Sequence, residues 1–413
     1  MAQSVVEISG HIIDSLILPK VLDLIINLGG EFEILDIKIG NRRADRSYAR
    51  IQIDAPTAAL LDRVLAKLKE HGALPVNDEL ESVLLQPAPA DGVFPDRFYS
   101  TTNLMTWVRV DDRWIEVTST EMDCGIRVDP QAARAECVPI HRVKRNDLVV
   151  VGHRGIKIQP VERQIPRAGF EFMSNAVSTE QPKGILIQEI AESMKQVRRE
   201  QGRILVVAGP GLVHTGAARF LVSLIEADYV QVLFAGNGLA VHDIESALYG
   251  TSLGVYLDKK IRASEGHEHH LWAINAVRRV GSIRQAVESG LVRKGIFYSC
   301  VQKSVDFMLA GSIRDDGPLP DVVTDTLQAQ ELMREKVRGV SLALMMATTL
   351  HAIATGNLLP ATVKTVCVDI NPAVVTKLTD RGTFQALGLV TDVEPFLREL
   401  CQCLDLEVVA RDS

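Results

Sequence analysis

The chain reads as an α/β protein built on a mostly parallel sheet and preceded by a small α+β unit and a small β unit, on three observations. From about residue 180 onward, apolar strand-like runs alternate with helical patterns, which demands a parallel sheet with helices on both faces. One of these runs, Arg203-Ile-Leu-Val-Val-Ala208, ends in a glycine turn, Gly209-Pro-Gly211, that opens a helix. Near the start, Glu33-Ile-Leu-Asp-Ile-Lys-Ile39 and Ala49-Arg-Ile-Gln-Ile53 alternate apolar and polar residues, and apolar positions 60, 61, 64, 65 and 68 then share one helical face.

In chain order, residues 4–72 read as strand, helix, strand, strand, helix, an α+β sandwich placed within residues 1–85. A polar, proline-containing link, Gln86-Pro-Ala-Pro-Ala-Asp-Gly92, leads to a small β-rich unit over 93–165, where short strands surround turn signals such as Asp111-Asp-Arg113 and Arg145-Asn-Asp147. The α/β domain is placed at 180–413, with six strands near 203–209, 230–236, 306–311, 341–347, 363–369 and 386–391. A helix-rich insertion over 237–305 carries Gly266-His-Glu-His-His270 and reads as a cover over a ligand crevice.

Bulk properties narrow the function. A chain of 413 residues with 46% hydrophobic content supports two or three sizeable cores. A net charge of −7 and no block of Lys or Arg argue against a nucleic-acid surface. The apolar run from Ile12 to Leu28 is broken by Asp14, Pro19, Lys20 and Asp23 and is too short to span a bilayer, so the expectation is a cytoplasmic protein with a small-molecule ligand, no membrane partner and no secretory signal. The six cysteines form no CxxC pair, which indicates neither a zinc framework nor a disulfide scaffold.

Ligands of open α/β sheets bind where the carboxyl ends of strands converge, so the strand ends hold the candidate residues. Gly209-Pro-Gly211 resembles the start of a dinucleotide fingerprint whose amides hold a pyrophosphate, but His214 stands where the third glycine belongs; an ordinary strand-to-helix turn is the alternative. Asp369 ends a strand just before Asn371-Pro372 and suits either ribose hydroxyls or a helix cap. Gly311-Ser-Ile-Arg-Asp-Asp-Gly-Pro-Leu-Pro320 places two carboxylates directly after a core strand, and Ala347-Thr-Thr-Leu-His351 is placed alike. The histidines of 266–270 lack a third ligand at metal-site spacing, so a base or carboxylate-gripping role is preferred to metal, and no metal is expected. Glu121-Met-Asp-Cys-Gly-Ile126 is dense in functional groups, and a nucleophilic Cys124 there would need a histidine base.

Taken together, Phe94-Pro-Asp-Arg-Phe-Tyr-Ser-Thr-Thr-Asn103, Glu121-Met-Asp-Cys-Gly125, Val150-Val-Gly-His153, Ala235-Gly-Asn237 with Val241-His-Asp-Ile244, Gly266-His-Glu-His-His270, Gly311 to Asp321 and Cys367-Val-Asp-Ile-Asn-Pro372 resemble the archaeal-type ornithine cyclodeaminases over essentially the whole chain. These carry the module named after lysine-oxoglutarate reductase and saccharopine dehydrogenase. The same unit is similar to the C-terminal part of cyanobacterial arginine dihydrolase/ornithine cyclodeaminases; the resemblance is to that part alone, so their arginine-degrading activity is not expected. The resemblance implies a deoxyhypusine synthase-like, Rossmann-type NAD-binding domain and conversion of L-ornithine to L-proline and ammonia by hydride transfer to and from NAD, an ammonia-lyase reaction in a homo-oligomer.

On that footing Gly209, Asn237, Gly238, Asp316, Thr348, Thr349, Leu350, His351, Asp369 and Asp392 are expected to hold NAD. Glu268 or His267 is expected to transfer protons, with His270 or Arg314 near the substrate carboxylate and Asp315 near an ornithine ammonium. The alternatives are an NAD-responsive, non-catalytic amino-acid sensor and an NAD-dependent amino-acid or saccharopine-type oxidoreductase.

Overall fold

A computed structural model describes residues 2–13, 17–40, 45–69, 71–76, 81–159, 183–256, 268–315, 317–380 and 386–408, so His267 and Asp316 lie outside the described residues. The chain divides into two compact units, 1–172 with 360–362, and 173–359 with 363–413.

The first unit holds two sheets among its described residues. In one, β1 (Ala2–Gly10), β2 (Glu31–Lys38), β3 (Ser47–Ala55) and β4 (Leu74–Pro75) run in the order β2-β3-β1-β4, with α1 (Ile17–Asn27) and α2 (Ala58–Lys69). Ile51 and Ile53 of β3, and Val64 and Leu68 of α2, close its core. The alternation and the 3.6-residue spacing in the sequence thus mark the faces that are buried.

The other sheet contains β5 (Leu84–Pro87), β6 (Met105–Val110), β7 (Arg113–Thr118), β8 (Gly125–Asp129), β9 (Arg134–Val138), β10 (Leu148–Val151) and β11 (Ile156–Gln159), in the order β11-β6-β7-β9-β8-β10-β5. Residues 84–87 straddle the end of the expected sandwich and the start of the expected link, but they are an edge strand, paired with β10 from Leu84↔Val151 to Pro87↔Leu148. An edge position tolerates Pro87, which has no N–H to donate.

The second unit is a doubly wound sheet. Its described elements are α3 (Lys183–Arg199), β12 (Arg203–Ala208), α4 (Gly211–His214), α5 (Ala218–Glu226), β13 (Val232–Gly236), α6 (Asn237–Tyr249), β14 (Thr251–Ser252), β15 (Val255–Tyr256), α7 (His269–Val280), α8 (Ile283–Glu288), α9 (Ile296–Gln302), β16 (Asp306–Ala310), β17 (Val322–Val323), α10 (Thr326–Lys336), β18 (Val340–Met346), α11 (Leu350–Leu358), β19 (Lys364–Asp369), α12 (Pro372–Asp380), β20 (Ala386–Val390) and α13 (Val393–Cys403).

Seven of these strands lie parallel in the order β17-β16-β13-β12-β18-β19-β20. Ile204, Val206 and Ala208 of β12 enter one core, with α3, α5, α9 and α13; Leu205 and Val207 enter the other, with α10 and α12. Burial on both faces explains the unbroken apolar runs. The six expected strands are all present, and β17, two residues long, is too short to leave a periodic signal. The expected insertion is the connection from β13 to its parallel neighbour β16.

Candidate functional site

The sheet order reverses at β12. Its successors β13, β16 and β17 lie on one side, and β18, β19 and β20 on the other. In such folds the ligand crevice opens at the carboxyl ends of the strands flanking that switch point. Those ends carry Gly209 after β12, Asn237 and Gly238 after β13, Thr348 to His351 after β18, and Asp369 at the end of β19. Sequence reasoning thus places these residues on four consecutive strands.

Their local bonds refine what each can do. Gly209 donates its N–H to Met346 O at 3.0 Å, and a Cβ there would lie 1.8 Å from Ala347 O. Only glycine lets the two strand ends close. Ala347 itself sits at φ 52, in the left-handed region that non-glycine residues seldom adopt. At 209–214, where a pyrophosphate cradle is expected, Leu212, Val213 and His214 donate their N–H groups to Gly209 O and Pro210 O, and α4 ends after four residues. Gly236 is equally constrained, since the His351 ring lies against it with Cε1 3.0 Å from where a Cβ would stand. Burial holds the His351 imidazole below its ordinary pKa, while Asp315 pulls it back up. Thr348 Oγ1 is 3.4 Å from His351 Nδ1.

Two longer helices start at the switch point. α6 and α11 begin at Gly236 and Thr349 with no side-chain cap. Among the other described helices α4, α5 and α7 also lack one, whereas α8, α10 and α13 are capped by Ser282, Asp325 and Asp392. An uncapped start leaves first-turn N–H groups and the positive end of the helix for an anion. Asp392, expected at the ligand, accepts from Glu394 N at 3.2 Å as a cap. Asp369 is different. It is buried, its Oδ1 accepts from Asn371 N at 2.8 Å, and Asn371 in turn accepts from Ala373 N at the start of α12. The helix-start bond is made by Asn371, and Asp369 Oδ2 has no hydrogen bond among the described residues.

Asn237 Oδ1 accepts from Leu319 N at 3.0 Å and pins the 311–321 loop. Asp315 accepts from Ser312 N at 2.8 Å within that loop, where Arg314 is exposed. Glu268 and His270 stand at the start of α7, which packs on α6 and α8. In the first unit Cys124 is buried and donates its thiol to Glu121 Oε1 at 3.1 Å. Its bond with Cys137 and its burial push the thiol well up. Asn103 nearby is wholly buried, with neither side-chain amide atom bonded among the described residues.

A cluster absent from the expectations lies on α4, α6 and the β14–β15 hairpin. Glu245, wholly buried, accepts from Thr251 Oγ1 at 2.9 Å, Gly254 N at 3.0 Å and Leu253 N at 3.2 Å. His242 Nδ1 lies 2.9 Å from Glu245 Oε2. Burial pushes the Glu245 carboxyl up, but these bonds outweigh it and hold it below the usual range. His269 Nδ1 is 2.8 Å from Thr251 Oγ1, and His214 Nδ1 is 2.7 Å from Ser252 Oγ. The His214 and His242 rings meet edge to face at 4.8 Å. Partial burial and His242 hold the His214 imidazole below its ordinary range. The i, i+3 spacing of His242 and Glu245, on a helix that directly follows a strand, was the available signal. No group of His, Cys, Asp and Glu among the described residues is arranged to hold a metal ion, and none of the described helices is long and apolar enough to cross a membrane.

Comparison with known proteins places this geometry. Residues 188–400 match the family described as arginine dihydrolase ArgZ-like, C-terminal, Rossmann fold; 105–187 match the first C-terminal region of the same proteins, and 3–104 the LOR/SDH bifunctional enzyme conserved region. The chain is 53% identical to an ornithine cyclodeaminase of Methanopyrus kandleri, covering 96% of each. Among solved structures it is similar to ArgZ, a cyanobacterial arginine dihydrolase (40% identity, TM-score 0.86, 98% of this chain and 58% of that one). It is also similar to AgrE in ternary complex with ornithine and NAD+ (39% identity, TM-score 0.53, 98% of this chain and 57% of that one). An end-to-end likeness at these identities shows that the chain belongs to the family of archaeal ornithine cyclodeaminases and the matching C-terminal part of the cyanobacterial enzymes.

Proposed function

We propose that this protein converts L-ornithine to L-proline and ammonia with NAD as a resident cofactor. The observation that carries the reading is that both units match AgrE, a protein solved with ornithine and NAD+, over 98% of the chain. The residues fit the cofactor. The uncapped starts of α6 and α11 suit a pyrophosphate. Asp369 Oδ2 suits ribose hydroxyls. Leu350 and Ile370, both 72% exposed although apolar, suit a flat ring. When bound, NAD supplies a hydride acceptor that gives the hydride back before the product leaves. The chain's own groups bind, orient and deprotonate the amino acid.

The test follows the hydride. Ornithine deuterated at its α-carbon is expected to give proline that keeps the label, with NADH absorbance flat at steady state. Loss of the label to solvent, or NADH rising in step with ammonia, would instead mark an ordinary dehydrogenase; ornithine binding without any proline would mark a sensor.

A further inference from the structure

We propose that His242, held by Glu245, is the general base that takes a proton from the α-ammonium of the substrate amino acid. The proposal rests on the ornithine reading and adds a residue to it.

Donor counting fixes the protonation. Thr251 has one hydroxyl hydrogen and gives it to Glu245, so the short contact with His269 must be a bond that His269 Nδ1–H donates to Thr251. Glu245 then receives a hydroxyl, two backbone N–H groups and His242. A buried carboxylate with four donors is held ionised, which puts the proton of His242 on Nδ1 and the lone pair on Nε2. Nε2 makes no hydrogen bond among the described residues. The facing groups are His214 from α4, Glu245 from α6, Thr251 and Ser252 from β14, and His269 from α7 beyond Thr251. His214 stays neutral beside it and so does not repel an incoming positive charge. α6, which carries both members of the dyad, starts at the end of β13, and α4, which carries the facing His214, follows the turn after β12, so both helices leave the switch point.

A purely structural role explains the arrangement poorly, because apolar side chains fill such a site at no loss of stability, whereas a buried ion must be compensated at every atom. In the step proposed, an N–H bond of the ammonium breaks, its electron pair stays on nitrogen as the lone pair that hydride loss from the α-carbon requires, and the proton bonds to Nε2. The imidazolium formed is balanced by Glu245.

The test uses the full chain with NAD. His242→Gln is expected to lower kcat/KM for ornithine on the order of 10²- to 10⁴-fold, with NAD affinity by calorimetry changed less than about threefold. The acid limb of its pH profile should vanish, and exogenous imidazole should restore turnover to His242→Ala. In Glu245→Gln turnover should fall as well, since the imidazolium formed loses its counter-charge. Nitrogen NMR of the wild type should show the Nδ1–H form of His242. His242→Gln lies on the partly exposed member, so it serves if the buried substitution does not fold. Near-wild-type turnover with an unmoved acid limb, or an Nε2–H form by NMR, overturns the dyad alone; a wild type that makes no proline overturns the underlying reading together with it.

Discussion

Asp243 and Glu245 stand two residues apart on α6, both buried, yet on opposite faces of the helix they become different chemical objects. Asp243 accepts from Ile296 N and Phe297 N, each at 2.9 Å, and so caps α9 from outside. Burial pushes it up to about 6, with the two amides pulling it back. Gly295, at φ 105, has no room for a Cβ, which would lie 2.8 Å from Asp243 Oδ1. On the other face Glu245 is bound by an imidazole, a hydroxyl and two amides and is held below the usual range. What separates a strut from a charged reagent is therefore the donor set: backbone amides alone fix a helix start, while an imidazole partner gives the carboxylate a proton to govern.

The largest expected effect on stability tests the strut. Asp243→Ala leaves two buried N–H groups at the start of α9 without an acceptor, at about 1–3 kcal/mol each, so chemical denaturation should show a loss of about 2–5 kcal/mol. A loss below about 1 kcal/mol would break the comparison. The pH dependence carries a sign. The folded pKa of about 6 lies above the ordinary 3.8, so between those values the folded state binds more protons than the unfolded one. Stability from this group is therefore greatest at low pH, falls as pH rises from about 4 to about 6, and is constant above, a change of about 2–3 kcal/mol. Asp243→Asn should remove that slope in parallel denaturation curves.

The sequence displays the sheet more plainly than the site, for a physical reason. Val206 and Val207 each face a core, and such strands are written as unbroken apolar runs. Gly209 also stands out as special, and the close approach of Ala347 O that demands glycine there is revealed only by the pairing of β12 with β18. His242 and Glu245 lie in plain view three residues apart, yet Thr251, Leu253 and Gly254 reach Glu245 only because the chain turns back after Gly250, at φ 68. Side-chain networks depend on such returns, which no periodicity encodes.

Asp369 carries the comparison to the strand ends. One of its oxygens is bonded to Asn371 N, and the other has no bond among the described residues. If that oxygen grips ribose hydroxyls, Asp369→Ala should weaken NAD by about 10- to 100-fold, equivalent to about 1.5–3 kcal/mol, while Asn371 still holds the start of α12. Calorimetric titration that finds NAD affinity unchanged would return Asp369 to the class of Asp243.

The smallest effect discriminates most finely. Asp392 lies between a strand and a helix as Asp369 does, and sequence reasoning gives both to the cofactor. In the fold they part: Asp392 follows β20 at the outer edge of the sheet, three strands from β12, and its carboxylate accepts from Glu394 N as the cap of α13. α13 buries Phe396, Leu397 and Leu400 in the core and so stays in place without its cap. Asp392→Ala should therefore cost about 1 kcal/mol of stability, the usual worth of a cap, and leave NAD affinity as it is. Asp392→Asn, which keeps the accepting oxygen, should recover most of that loss. An NAD affinity that falls in Asp392→Ala as far as in Asp369→Ala would show that the crevice extends along the sheet to its edge, and that a carboxylate bonded to a helix-start amide can still serve a ligand.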